Sequence, residues 1–147
     1  MGITGSSING ECIETITTET CIVFSAVFSP DGSSALTASH DRTAKIWNIT
    51  TGEYIQTLSG HTGIVFSTVF SPDGFSALTT SEDENAKIWN ITTGECVQTL
   101  SGHTGDVSYA VFSADESTAR TASSNHTAKI RNITTAASIH NQSSPTG

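Results

Sequence analysis

The chain has 147 residues, enough for one domain of ordinary size, and its 6 basic and 14 acidic side chains give a net charge of −8. A surface of this charge repels phosphate backbones and anionic lipid headgroups, which argues against nucleic-acid binding and against stable membrane association. No apolar run approaches the ~18 residues that indicate a transmembrane helix.

The first nine residues lack the features of a secretory leader, since they contain neither a basic start nor an apolar stretch. We therefore expect a polar tail over residues 1–9 and a cytoplasmic chain. A reducing compartment also suits the 3 cysteines, an odd number that gives no disulfide framework. Because the first residues lack the features of a secretory leader, we also expect the Asn-Ile-Thr sequons at Asn48, Asn90 and Asn132 to carry no sugar.

An internal repeat with an offset of 42 residues runs through the chain. The segments Ile22–Leu58 and Ile64–Leu100 are identical at 29 of 37 positions, without an insertion. A third, diverged copy follows, and the segment GECIETI at Gly10–Ile16 is an additional copy of the end of a unit, GEYIQTL or GECVQTL. Copies this similar predict that the units share one shape.

The middle unit predicts four short strands, because apolar and small residues alternate along it. The first predicted strand, IVFSTVF at Ile64–Phe70, ends at SPDG, where proline fixes φ and glycine permits a positive φ. The other three are predicted at Phe75–Ser81, Ala86–Ile91 and Cys96–Leu100, separated by the polar turns EDEN and TTGE. No stretch has helical spacing over ten or more residues, so the pattern predicts an all-β fold.

Four features in one 42-residue unit resemble the WD-repeat (WD40) β-propeller family: a Gly-His pair, the SPDG turn, an Asp six residues before a Trp, and four strands. The resemblance covers roughly residues 10–135 and implies a partial β-propeller of about three four-stranded antiparallel blades. The expected organisation is a closing strand at 10–17, units at 18–59, 60–101 and 102–137 (three WD-repeat blades over 10–137), and a disordered tail at 138–147.

The resemblance implies a buried hydrogen-bond network in each blade, running from Trp through a hydroxyl and His to Asp. The middle unit has His61, Asp83 and Trp89, with a hydroxyl from Thr79 or Ser81, which share one face of a strand. The same residue types also form nucleophile triads, but no G-x-S-x-G elbow surrounds the hydroxyl, so a structural role is favoured. We expect no enzyme, no cofactor and no metal site, and we expect the residues around Asp83 to form a solvated turn.

The outer units depart from this pattern. Unit one keeps Asp41 and Trp47 but has Thr18-Glu19 in place of Gly-His. Unit three keeps His103 but has Asn125 for Asp and Arg131 for Trp, and its turn is SADE instead of SPDG. Because losing a buried Trp forfeits packing, unit three is predicted to be the weakest part of the molecule unless Arg131 reaches solvent or a carboxylate.

Three blades are too few to close a ring, since propellers typically have four to eight. In the family an N-terminal strand completes the last blade, so the segment 10–17 of one copy could complete the last blade of a neighbour. We therefore expect a homo-oligomer, with a dimer of six blades favoured and a trimer as the second choice. The alternative is a fragment of a longer repeat array that does not assemble.

By resemblance, the chain is a non-catalytic scaffold that binds a protein or peptide, with a carbohydrate-binding, lectin-like propeller as the alternative. The family's frequent contact surface corresponds here to nine positions: Ile22, Phe24, His40, Ile64, Phe66, Glu82, Asp106, Ser108 and Ser124. Aromatic anchors near carboxylates suit a basic or amphipathic peptide. Whether Phe24 and Phe66 serve as anchors or pack between blades is open at this point.

Overall fold

The computed structural model describes residues 22–133 and 135, and this part of the chain consists of strands and turns. Within it no helix is long and apolar enough to span a membrane. The first sheet contains β1 (Val23–Phe28), β2 (Ser34–Ser39), β3 (Thr43–Asn48) and β4 (Tyr54–Ser59). The second contains β5 (Val65–Phe70), β6 (Ser76–Ser81), β7 (Ala86–Asn90) and β8 (Cys96–Leu100). The third contains β9 (Val107–Phe112), β10 (Thr118–Ser123) and β11 (Ala128–Asn132).

Each sheet is an antiparallel meander in chain order, and the three sheets form blades one, two and three of a partial propeller. The all-β class predicted from the repeat is confirmed. Blade three has three strands within the described residues, not four. The predicted closing strand at 10–17, the Thr18-Glu19 pair and the tail at 138–147 lie outside the described residues.

Because the strands alternate in direction, the turns fall at two ends of the blades. The β1–β2 and β3–β4 turns and their equivalents form what we call the lower end. The β2–β3 turns and the loops between blades form the upper end. The strands β1, β5 and β9 neighbour one another across the blade boundaries, so they are the inner strands.

The lower-end turns are closed by an aspartate in each blade. Asp31 Oδ1 accepts hydrogen bonds from Ser29 Oγ at 2.7 Å and from Ser33 N at 2.9 Å, and Asp115 repeats these contacts in blade three. Gly32 has a φ of +75°, and Glu116 holds the equivalent position with a φ of +62°. The SADE turn thus keeps the shape of SPDG without its proline or glycine, at a backbone cost that glycine avoids.

The core lies between the blades. In blade one, Leu36 and Ile46 are almost fully buried and form one cluster with Ala77 and Trp89 of blade two. The opposite face of blade two repeats the arrangement against blade three, with the residues Leu78, Ile88, Ala110 and Ala119. Each blade therefore buries apolar residues against the next one, which is how repeats that cannot bury a face alone become stable.

The outer flank of blade three, defined by Tyr109, Arg120 and Ile130, is exposed. Tyr109 is 52% exposed and Ile130 is 74% exposed. Arg120 pairs with Ile130 at the position where Leu36 and Leu78 are buried in the other blades. This flank is therefore partly apolar and carries a charge at its centre.

Candidate functional site

A buried hydrogen-bond network links two strands and a loop in blade two. Trp89 Nε1 donates to Thr79 Oγ1 at 2.8 Å, and Thr79 Oγ1 lies 2.6 Å from His61 Nε2. His61 Nδ1 lies 2.8 Å from Asp83 Oδ2. Ser81 takes another role, since its Oγ accepts the backbone N–H of Asp83 at 3.1 Å. Of the two hydroxyls that the sequence left open, Thr79 is the one that joins Trp to His.

Burial and hydrogen bonds determine which atoms of His61 and Asp83 carry protons in this network. Burial lowers the pKa of His61 despite the nearby carboxylate. Burial opposes ionisation of Asp83, but hydrogen bonds from His61 and from the Thr62 N–H outweigh it and lower the pKa of that carboxyl. His61 is therefore neutral, with Nδ1–H donating to ionised Asp83 and Nε2 accepting from the Thr79 hydroxyl. In this state each donor has an acceptor.

Stability should consequently fall in mild acid. A histidine whose pKa is lower in the folded than in the unfolded state binds its proton first in the unfolded state. His61 therefore contributes stability that is present above about pH 6.5 and is lost as the pH falls below that value, with a slope of up to about 1.4 kcal/mol per pH unit. Asp83, whose pKa is also lowered, adds a loss only near and below pH 4.

Urea denaturation between pH 5 and pH 8 measures this dependence. We expect a flat region above pH 7 and a decline below pH 6.5. The matched variant His61→Gln should be less stable at pH 8 and should show a shallower decline. A wild-type profile that stays flat down to pH 5 would contradict a neutral, buried His61.

Blade one has a shorter network. Trp47 Nε1 donates to Thr37 Oγ1 at 3.0 Å, as in blade two. Asp41 is engaged elsewhere, since it accepts from the Thr43 N–H at 3.0 Å and from Lys45 Nζ at 3.1 Å. Among the described residues, no histidine is hydrogen-bonded to Thr37.

Blade three keeps the histidine but lacks both of its end partners. His103 Nε2 lies 2.7 Å from Thr121 Oγ1, and its Nδ1 lies 3.3 Å from Thr127 Oγ1, where blade two has a carboxylate. Arg131 Nη2 donates to the Ser101 carbonyl, while its buried Nε has no partner in the described structure. The guanidinium thus donates to a backbone carbonyl, whereas the indole at the same position of blade two donates to the Thr79 hydroxyl.

The nine residues of the predicted contact surface lie at the upper end in three equivalent sets. Ile22 O accepts the His40 N–H at 3.0 Å, and the same backbone bond joins the equivalent pairs of blades two and three. Those pairs are Ile64 with Glu82 and Asp106 with Ser124. The middle member of each set, Phe24, Phe66 or Ser108, lies at a β-bulge of its inner strand. A bulge redirects a side chain, so these positions differ from ordinary strand positions.

Aromatic side chains of blades one and two meet at this end. The rings of Phe24 and Phe66 are 6.0 Å apart and nearly perpendicular, and Phe24 lies 6.4 Å from the stacked ring of His40. Ile22 is 63% exposed and Phe24 is 44% exposed. The two phenylalanines thus contact each other across the blade boundary while part of their surface stays open to solvent. We call Ile22, Phe24, His40 and Phe66 the aromatic patch.

Polar and acidic residues border the aromatic patch. Glu82 is exposed, and its Oε1 accepts the Ile64 N–H at 3.1 Å. In blade three, Asp106 is half-buried, and Ser108 and Ser124 are exposed. The patch is therefore confined to blades one and two. Among the described residues no cluster of His, Cys, Asp or Glu is arranged to hold a metal ion.

The WD40 family model, described as "WD domain, G-beta repeat", matches three consecutive segments, 10–48, 52–90 and 94–132. These segments span most of the chain. A search of the curated proteins found no significant match.

Proposed function

Because the chain belongs to the WD40 family, whose domains generally mediate protein interactions without catalysis, we propose that it binds a peptide segment of a partner protein at the aromatic patch. The exposed contact between Phe24 and Phe66 is the observation that carries this proposal. Two rings held against each other lose little conformational freedom when a ligand covers them. We propose a binding role only, with no catalytic step.

The chemistry of the upper end favours a peptide with an apolar anchor and a nearby basic residue. The rings of Phe24 and Phe66 offer apolar area, and aromatic side chains often dominate binding energy at interfaces. The exposed carboxylates of Glu82 and Glu84 lie at the same end. Acidic groups at the rim speed association with a basic ligand and select against acidic ones.

A peptide selected from a random display library on the immobilised chain tests this role. We expect Phe24→Ala and Phe66→Ala to weaken its affinity by about tenfold or more. The control is Ile55→Ala on β4, which removes an apolar side chain of similar exposure outside the patch. Affinity that is equal in all four proteins, with folding checked by circular dichroism, would contradict the proposal. A glycan array run alongside tests the carbohydrate alternative.

We further propose that copies of the chain associate through the outer flank of blade three. The supporting observations are the exposure of Tyr109 and Ile130 and the edge of β11, which pairs only with β10 in the described part of the chain. The segment GECIETI at Gly10–Ile16 copies β4 and β8, so this segment of a second copy could supply the fourth strand that blade three lacks within the described residues. Its glutamates are opposite in charge to Arg120.

Light scattering on a size-exclusion column measures this association. We expect twice the chain mass of 15.4 kDa, or three times that mass for a trimer. The variant Ile130→Lys should shift the protein to the mass of one chain, because it replaces the exposed apolar side chain of the outer flank with a strongly hydrated one. Ile55→Lys, the same change at another exposed isoleucine on β4, should leave the mass unaltered. A wild-type peak at one chain mass across the concentration range would rule the proposal out.

A further inference from the structure

The three inner strands end in the same pair of apolar residues at the lower end. The pairs are Val27 with Phe28, Val69 with Phe70, and Val111 with Phe112. Together with the prolines of the two SPDG turns they line a cleft of about 410 Å³. We call this the lower-end cleft. It opens away from the aromatic patch, which lies at the opposite ends of the same strands.

The lower-end cleft is apolar and not fully closed by the described chain. Phe28 is 69% exposed, and Phe70 and Phe112 are half-buried. An exposed phenylalanine leaves apolar area in water, and a ligand that covers this area is favoured by the hydrophobic effect. Concave apolar surface that is rimmed by polar residues is typical of sites where proteins meet.

Every charge on the lower-end turns is negative. The lower-end turns carry Asp31, Glu53, Asp73, Glu95, Asp115 and Glu116. The same turns contain no lysine or arginine. Of the 6 basic residues in the chain, Arg42 lies in an upper-end turn and the other five lie within strands. The lower end is therefore more uniformly acidic than the rest of the molecule.

Local hydrogen bonds keep two of these carboxylates, Asp31 and Asp115, ionised, whereas burial raises the pKa of Glu116. The Ser33 N–H and then the Ser29 hydroxyl lower the pKa of Asp31 to about 2. The hydroxyl and N–H of Ser117 do the same for Asp115, whose pKa is also about 2. Both side chains are exposed, so their charge is available to a ligand at the cleft at any ordinary pH.

We propose that the lower-end cleft is a second docking surface, separate from the aromatic patch, for a protein segment that places an aliphatic or aromatic side chain between lysines or arginines. The apolar residue would fill the space beside Phe28, and its basic neighbours would face the turn carboxylates. The N-terminal segment and a second copy of the chain are both poor candidates for this cleft, because each is negatively charged. The N-terminal segment carries Glu11, Glu14 and Glu19, and a second copy brings a further net charge of −8.

The probe for this site is a hexapeptide with a central Leu-Phe pair and two arginines on each side, titrated into the labelled full chain by NMR. We expect shifts at the backbone amides of residues 27–33, 69–74 and 111–117. Phe28→Ser should raise the dissociation constant by about tenfold. Phe24→Ala, at the other end, should leave these lower-end shifts and their midpoint unchanged, which separates this site from the aromatic patch.

Two control peptides test the chemistry of recognition. Glutamates in place of the arginines, or serines in place of Leu-Phe, should each weaken binding by about tenfold. Equal binding by either control peptide, or shifts confined to the upper end, would overturn the proposal. Shifts that follow chain concentration without the probe, or that a peptide of residues 10–17 reproduces, would assign the cleft to a second copy or to the chain itself and would also overturn it.

Discussion

Replacing Trp89 by alanine should lower the free energy of unfolding by about 3–5 kcal/mol, more than a matched change in either other blade. The indole is 1% exposed and packs in one cluster with Leu36 and Ile46, so its removal opens a cavity between blades one and two. It also takes the N–H donor away from Thr79, which then loses one partner of a buried network. Urea denaturation followed by circular dichroism gives the difference.

The control is the residue at the same position of blade three. Arg131→Ala removes a half-buried side chain whose buried Nε has no partner in the described structure, so it should cost less than about 1 kcal/mol. If both variants lose the same stability, the indole is not the centre of the interblade core. A loss below about 1 kcal/mol for Trp89→Ala would lead to the same conclusion.

Restoring the missing partners in blade three should stabilise the protein. The double variant Arg131→Trp, Asn125→Asp is expected to gain about 1–3 kcal/mol, because His103 and Thr121 already hold the geometry of the intact network. Their hydrogen-bonding atoms are 2.7 Å apart, against 2.6 Å for the equivalent pair in blade two. The new carboxylate would accept from His103 Nδ1, and the new indole would donate to Thr121.

A double-mutant cycle measures whether the two changes act together. The two new side chains lie at opposite ends of one chain of hydrogen bonds. The stability gained by the double variant should therefore exceed the sum of the gains of the two single variants. Asn125→Asp alone is the matched control, since it adds a charge without the indole. A double variant less stable than the wild type would mean that blade three has diverged too far to hold a tryptophan at this position.

Most of the fold could be predicted from the internal repeat. The alternation of apolar and small residues around SPDG and TTGE predicted four strands in the middle unit, and blade two has four within those ranges. The strands of blade one could be predicted from those of blade two, because two copies this similar share one shape and keep the same strand register. The all-β class needed no information beyond this pattern.

Details that depend on register and on contacts between blades did not follow from the sequence. Thr79 and Ser81 share a face, and only the pairing of β6 with β7 brings Thr79 within reach of the Trp89 indole. The bulges at Phe24 and Phe66 have no sequence signature, so the sequence left open whether the two rings pack between blades or serve as exposed anchors.

The lower-end cleft could not be predicted from the sequence either, although its phenylalanines recur every 42 residues. The repeat shows that Phe28, Phe70 and Phe112 are equivalent, but equivalence does not tell whether they are buried or exposed. Their exposure depends on how the blades are arranged around the inner strands. Arg131 is a similar case, because its contact with the Ser101 carbonyl depends on where the loop between blades two and three runs.

The measurement that tests the proposed function most directly is a hydrogen-exchange footprint of the chain with a peptide selected on it. We predict slower exchange at the amides of residues 22–25, 40–42 and 64–67, the backbone around the aromatic patch, with no change in the strands of blade three. Phe66→Ala should abolish this protection at the same peptide concentration. Protection that avoids these segments, or that survives in Phe66→Ala, would contradict binding at the aromatic patch.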